Sequence, residues 1–390
     1  MSKNNNNTPR LRFPGFTGEW EERLVKDICN INTGKSNTQD QVEDGLYPFY
    51  IRSATPVRSN RYLYDCEAVI TIGDGQIGKV FHYVNGKFDL HQRCYMMSNF
   101  KDVACRYFYY FFSNNFYNRA IRLSAKGTVD SVRLEMISDM PIFLPPTLEE
   151  QQKIAECLMA IDDQISAQSQ KVEALKDQKK GMMQELFPQK GETTPRLRFP
   201  EFTGDWEEKK LFEVATSFSG GTPKSGDPTY YGGNIPFIRS GEIHDNKTAL
   251  FLTEKGLNNS SAKLVNKGDL LYALYGATSG EVGIARIDGA INQAILCIRS
   301  EEIDTCFLCG YLEHMKGAIT SKYLQGGQGN LSGDIIMSIN IPHPSPAEQQ
   351  KIADCLSELD ALIAAETEQL VALKDHKKGL MQQLFPQPAK

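Results

Sequence analysis

The sequence predicts a mixed α/β (α+β) chain. Two lobes are joined by two long helices that form an antiparallel coiled coil, the whole a pseudo-two-fold repeat. Three observations carry this. TPRLRFPGFTGEWEE at Thr8–Glu22 returns as TPRLRFPEFTGDWEE at Thr194–Glu208, matching at thirteen of fifteen positions. EQQKIAECLMAIDDQISAQSQKVEALKDQKKGMMQELFPQ at Glu150–Gln189 returns, varied, at Glu348–Gln387. The middles diverge but keep one order of features. Repeats are settled before any fold is argued. The offset grows from 186 to 198, so the second middle is 12 residues longer. The expected layout is a first lobe at 1–147, a first helix at 148–190, a second lobe at 191–346 and a second helix at 347–390.

Each opening carries one tryptophan, Trp20 and Trp206. Standing in the repeated frame, both are expected as buried seats for their lobes rather than as stacking platforms.

In the closing blocks apolar residues recur at three- and four-residue steps. The first seam is Ile154, Leu158, Ile161, Ile165, Val172 and Leu175; the second is Ile352, Leu356, Leu359, Ile363, Leu370 and Leu373. Gln168 and Lys179, then Glu366 and Lys377, fill the polar gaps. Sustained a/d heptads make a narrow stripe that wants a partner helix. Pro and acidic residues precede each helix, and the Pro of LFPQ stops it. A helix from about 149 to 186 is roughly 55 Å long at 1.5 Å per residue, too long for one small lobe to cover.

The middles share a skeleton of short β-rich runs broken by Gly loops, with one aromatic, helix-like stretch at Tyr107–Tyr117. YPFYIRS (Tyr47–Ser53) answers to IPFIRS (Ile235–Ser240), and FDLHQRCYMM to GAINQAILCI. Gly73-Asp-Gly75-Gln-Ile-Gly78 spells a dinucleotide motif, but strand and turn follow it where a helix must begin, so a hairpin loop is expected. TGKS at Thr33–Ser36 lacks the earlier glycine of a phosphate loop. DPTY at Asp227–Tyr230 is not the DPPY of amino-methyltransferases, and no methyl-donor motif or catalytic triad stands out. The chain reads as non-catalytic, with no cofactor or metal of its own.

At 390 residues and 41% hydrophobic content, two or more cored domains are expected. The polar start and the absence of a run of about 18 apolar residues predict a soluble, cytoplasmic protein. The nine cysteines are scattered, and Cys306-Phe-Leu-Cys309 lacks the further ligands of a zinc site. Net charge is −5, which argues against a charge-driven nucleic-acid coat. Residues 30–147 carry 13 Lys/Arg against 11 Asp/Glu, whereas residues 216–346 carry 10 against 12.

This pattern resembles the specificity subunit of Type I restriction–modification enzymes over nearly the whole chain. The carriers are the PRLRFP.FTG.WEE openings, the P..EQQKIA.CL helix entries, the LKD.KKG.MQ.LFPQ helix ends and SGGTPKSGDPTYYGGNIPFI at Ser219–Ile238. The resemblance implies that each lobe is a target recognition domain reading one half of a bipartite double-stranded DNA sequence through the major groove. It implies that the helices fix the spacer and dock two methyltransferase (modification) subunits, which use S-adenosylmethionine to methylate adenine. It further implies two restriction (motor–nuclease) subunits using ATP and Mg²⁺; none of these cofactors belongs to this chain.

Base edges are read by Arg, Lys, Gln, Asn, Ser and Thr on exposed loops, while phosphate contacts position the protein. In lobe one the candidates are Lys35, Arg52, Ser53, Arg58, Arg61, Lys79, Gln92, Arg93, Lys126 and Thr128. In lobe two they are Thr222, Lys224, Tyr230, Tyr231, Arg239, Ser240, Lys263, Tyr275, Thr278, Gln325, Gln328 and Asn330. Arg52 and Arg239 rank first because both follow the shared PF strand at equivalent positions. The acidic second lobe departs from a simple electrostatic account and points to polar and aromatic contacts. The alternatives are a two-lobed adaptor without DNA and an orphan methyltransferase. Steep loss of affinity with salt separates a DNA reader from the adaptor, and missing methyl-donor motifs argue against the enzyme.

Overall fold

The computed structural model describes residues 7–123, 131–189, 191–324 and 330–386. The chain forms two compact units, Met1–Ser169 with Glu368–Lys390, and Gln170–Thr367. That division passes through both long helices, Leu148–Leu186 and Pro346–Leu384. Each unit therefore holds one lobe, the start of the helix that follows it, and the end of the other helix.

Both long helices begin on a hydroxyl three residues before a glutamate. The N–H of Glu150 donates to Thr147 Oγ1 and that of Glu348 to Ser345 Oγ, a use of S/T-x-x-E that satisfies an orphan donor of the first turn. In the second unit the helices run antiparallel. Lys171 meets Glu366 at 2.6 Å, Lys179 meets Asp360 at 2.8 Å, and the sulfurs of Met182 and Cys355 lie 3.5 Å apart. In the first unit Lys377 meets Asp162 at 2.5 Å. Ile154, Leu158, Ile161, Val172, Ile352 and Leu356 are buried; Ile165, Leu175, Leu359, Ile363, Leu370 and Leu373 are half-buried.

In the first unit six strands form one sheet in the order Asn30–Thr33, Cys94–Ser98, Tyr64–Ile72, Phe81–Leu90, Tyr47–Tyr50, Val57–Ser59. The aromatic helix Cys105–Arg122 lies on it, with Phe81 edge-on to Phe112 and Phe116. Phe108, Phe112 and Phe116 stack at four-residue spacing, so one helical face is a continuous apolar ridge. A two-stranded sheet pairs Glu21–Leu24 with Pro141–Leu144.

The second unit divides its strands into two four-stranded sheets. One orders Thr216–Ser219, Ile295–Arg299, Leu270–Ala273, Val282–Ile284; the other Phe251–Leu252, Tyr231–Ile238, Gly289–Ile291, Lys263–Val265. Its helix Thr305–Leu324 takes the place of the aromatic helix, and Glu207–Lys210 pairs with Asn340–His343. Among the described residues no helix is long and apolar enough to cross a membrane.

Candidate DNA-reading surfaces and the frame that holds them

The repeated residues make the same contacts in both units. Arg12 binds Glu150 and the carbonyls of Thr17 and Gly18; Arg198 binds Glu348 and the carbonyls of Thr203 and Gly204. Gln151 accepts from the N–H of Ala104, and Gln349 from that of Asp304, each at the entry to the lobe's helix. Trp20 and Trp206 are buried, edge-on to Tyr107 and Phe307, both with ring centroids 6.1 Å apart. They are seats, as the sequence predicts. Phe385 packs on Tyr107 and Phe111, and Phe187 on Phe307 and Tyr311. Each lobe is thus clamped by the end of the helix that does not follow it.

The loops above this frame differ between the units. Gly73–Val80 joins the antiparallel strands Tyr64–Ile72 and Phe81–Leu90, so the glycine motif is a hairpin loop. Its Asp74 accepts from Arg52 (3.2 Å) and Arg93 (2.8 Å). Burial alone would raise the Asp74 carboxyl, but hydrogen bonds from Arg93 and Arg52 outweigh it and hold it below the usual range. Gln92 donates to Asn37, and its N–H to Ser36, so the loop carrying exposed Lys35 joins the same cluster. Ser53, half-buried, follows Arg52 and offers its carbonyl to His82. Arg61 reaches Asp40 (2.8 Å), buried Asp89 (3.4 Å) and Ser36 (3.0 Å). Arg58 is engaged by the carbonyls of Gly45 and Leu46, and Lys79 stands over the Tyr117 ring. The structure therefore gathers Lys35, Arg52, Arg61, Gln92 and Arg93 and places Arg58 and Lys79 apart in other contacts.

In the second lobe Thr222 donates to Gln293, and Lys224 lies on the same loop. Tyr231 donates to the carbonyl of Pro223; Lys255 covers Tyr230, and Lys263 covers Phe218. Arg239 is locked to Glu242 at 2.9 and 3.1 Å. Burial would raise the Glu242 carboxyl, but bonds from Arg239 and the N–H of Ala249 bring it to about 2. Ser240, Tyr275 and Thr278 are half-buried, and Asn330 is exposed. Lys126, Thr128, Gln325 and Gln328 lie outside the described residues.

One expectation needs correcting. Phe49 pairs in register with Asp89, and Phe237 with Ala290. Counting from those pairs, Arg52 is three residues beyond its phenylalanine and Arg239 only two. The positions are offset by one, and their carboxylate partners are unrelated. Sequence reasoning also passed over Asp74, Asn37, Glu242 and Gln293. Gln293 was detectable, since INQAI matches LHQRC at Gln92; the carboxylates were not, because their pairings depend on the fold. Cys306 and Cys309 are half-buried free thiols, and burial pushes Cys309 up to about 12.

Two unlike loop surfaces, each on its own copy of one repeated frame, define a two-domain protein whose halves share a scaffold and differ in their loops. The model of the Type I restriction modification DNA specificity domain matches twice, over residues 17–177 and 203–375. The Type I restriction enzyme MjaVIII specificity subunit of Methanocaldococcus jannaschii is 25% identical over 405 residues, covering 96% of this chain and 93% of that protein. The EcoDI specificity subunit of Escherichia coli is 23% identical over 380 residues, covering 88% and 82%. The crystal structure of the Type-I restriction-modification S subunit from M. genitalium superposes with a TM-score of 0.68 at 16% identity, covering 98% and 100% of the two chains. The chain belongs to this family and is a specificity subunit of a type I restriction–modification system.

Proposed function

We propose that each lobe reads one half of an asymmetric, bipartite DNA target, and that the long helices fix the spacer between the halves. One observation carries this reading. The frame contacts of Arg12, Gln151 and Phe385 recur at Arg198, Gln349 and Phe187, while the loops they support differ side chain by side chain. Residues that are identical in both halves and exposed, such as Leu11 with Leu197, Lys153 with Lys351 and Lys180 with Lys378, support docking of the same partner twice. That partner is a methyltransferase subunit, two per chain, joined in the full enzyme by two restriction/translocase subunits. S-adenosylmethionine, ATP and Mg²⁺ serve those partners. The hairpin geometry of the Gly73–Val80 loop, where strand rather than helix follows the glycines, supports this assignment.

Sequencing the methylome of cells with and without the gene tests the reading. A two-part adenine-methylated motif that vanishes with the gene is expected, and an unchanged methylome overturns it. The complex with its partners should also lose DNA affinity steeply as salt rises.

A further inference from the structure

Resting on that DNA-reading function, we infer that Asp74 is a positioning residue: it holds Arg52 and Arg93 as a paired donor fork for guanine in the half-site of lobe one. Among the described residues lobe two has Tyr275 and Ala294 at the positions of Asp74 and Arg93, and it reads its half through the Gln293 amide. The fork is built before DNA arrives. Arg52 Nη1 lies 3.2 Å from both Asp74 oxygens and Arg93 Nη1 2.8 Å from one. The carboxylate is 18% exposed, the arginines 45% and 62%. Asp74 uses one nitrogen of each guanidinium, so Nε and Nη2 lie outside the contact. Ordering two rotamer-rich side chains in advance lowers the cost of binding.

The backbone fixes this geometry. The N–H of Gly73 donates to the carbonyl of Arg93 (2.8 Å), and the N–H of Val132 to that of Gly73 (2.7 Å). A Cβ on Gly73 would stand 2.6 Å from the Arg93 oxygen, so at this position a side chain would force the two strands' ends to shift. Acid and arginine are thereby neighbours by main-chain design. Lobe two keeps the same bonds, Leu274 N–H to Ala294 and Leu331 N–H to Leu274. Tyr275 therefore stands where Asp74 does and Ala294 where Arg93 does: the two charges are absent together. Gln92 has its match in Gln293, which contacts Thr222.

The chemistry selects the ligand. The carboxylate between the arginines cancels one of their two charges, which weakens the pull of phosphate relative to the hydrogen-bonding base edges. Arginine pairs bidentately with guanine O6 and N7, whereas glutamine pairs with adenine N6 and N7.

The test is methylome sequencing of cells carrying the subunit with its partners, comparing wild type with Asp74→Asn, Arg93→Lys and Gln293→Ala. Asp74→Asn and Arg93→Lys are expected to relax a guanine position in one half of the motif, by roughly tenfold in discrimination, with the other half unchanged. Gln293→Ala should relax only the opposite half. An unchanged motif in Asp74→Asn overturns the inference, as does a methylated fraction that falls equally at all sequences. If Asp74→Asn abolishes methylation, Arg93→Lys, which keeps the charge and loses the fork, decides on the same outcomes; loss of methylation in both counts against the inference. A wild-type complex that leaves no two-part motif is a different failure, that of the DNA-reading function itself.

Discussion

Arg12 grips Glu150 through both carboxylate oxygens, at 2.7 and 2.8 Å, and the carboxylate is 1% exposed. This contact ties the opening segment to the first turn of the helix that leaves the lobe. Removing the cation strands a buried charge, which costs on the order of 3–5 kcal/mol. Arg12→Met should therefore destabilise the first unit by about 3 kcal/mol, and adding Glu150→Gln should recover much of it. Urea unfolding read by hydrogen exchange over residues 105–122 checks this. A single-variant loss below about 1 kcal/mol would show that the pair is not structural.

Phe385 and Phe187 are both essentially unexposed, each wedged into the lobe that its helix does not follow. Phe→Ala in a core costs roughly 3–5 kcal/mol. Phe385→Ala should loosen the amides of Cys105–Arg122 and leave those of Thr305–Leu324 protected; Phe187→Ala should do the reverse. Equal loosening of both helices by either variant would contradict the exchange of helix ends.

Glu242 sits at about 2, below its ordinary value of 4.5. A depressed carboxyl contributes stability that is full above pH 4.5 and is lost as pH falls through about 2. Carbon-detected NMR titration of Glu242 should give a midpoint near 2, moving up toward 4.5 in Arg239→Gln. A wild-type midpoint already at 4.5 would mean that Arg239 is not held, and is available to swing out to DNA.

The spacer hypothesis has its own test. Seven residues inserted after both Lys171 and Gln369 keep the apolar seam in phase and lengthen each helix by roughly 10 Å, about three base pairs at 3.4 Å each. The methylated motif should keep both half-sequences and gain a longer spacer. One residue inserted in a single helix turns its seam by about 100° and should block assembly. Lys179 opposes slippage into another register. Burial would lower it, but Asp360 and Glu313 outweigh that and hold it above the usual lysine value. An active seven-residue variant with an unchanged spacer sinks the idea.

The long helices were legible almost to the residue, expected from about 149 to 186 and found at Leu148–Leu186, because heptads and terminal prolines are local signals. The hairpin at Gly73 was legible for the same reason, from the strand residues on both sides. The reading surface was legible only as a set of residue types. Arg52 and Asp74 meet because a sheet folds two loops together, and nothing near Arg52 in sequence announces the acid. The one-residue offset between Arg52 and Arg239 shows the limit plainly: matching letters located the strand, but only hydrogen-bond register located the side chain.

The main-chain N–H of Leu197 donates to Glu185, the end of the helix just before it, and that of Leu11 donates to Gln383 in the same way. The two junctions share one main-chain geometry. Each unit is thus closed by the same backbone contact, made once within a continuous stretch of chain and once between stretches far apart in sequence. A permuted chain that joins the segment after Gln383 to the one before Leu11, and opens between Glu185 and Leu197, is expected to keep both contacts, read as hydrogen-exchange protection at Leu11 and Leu197.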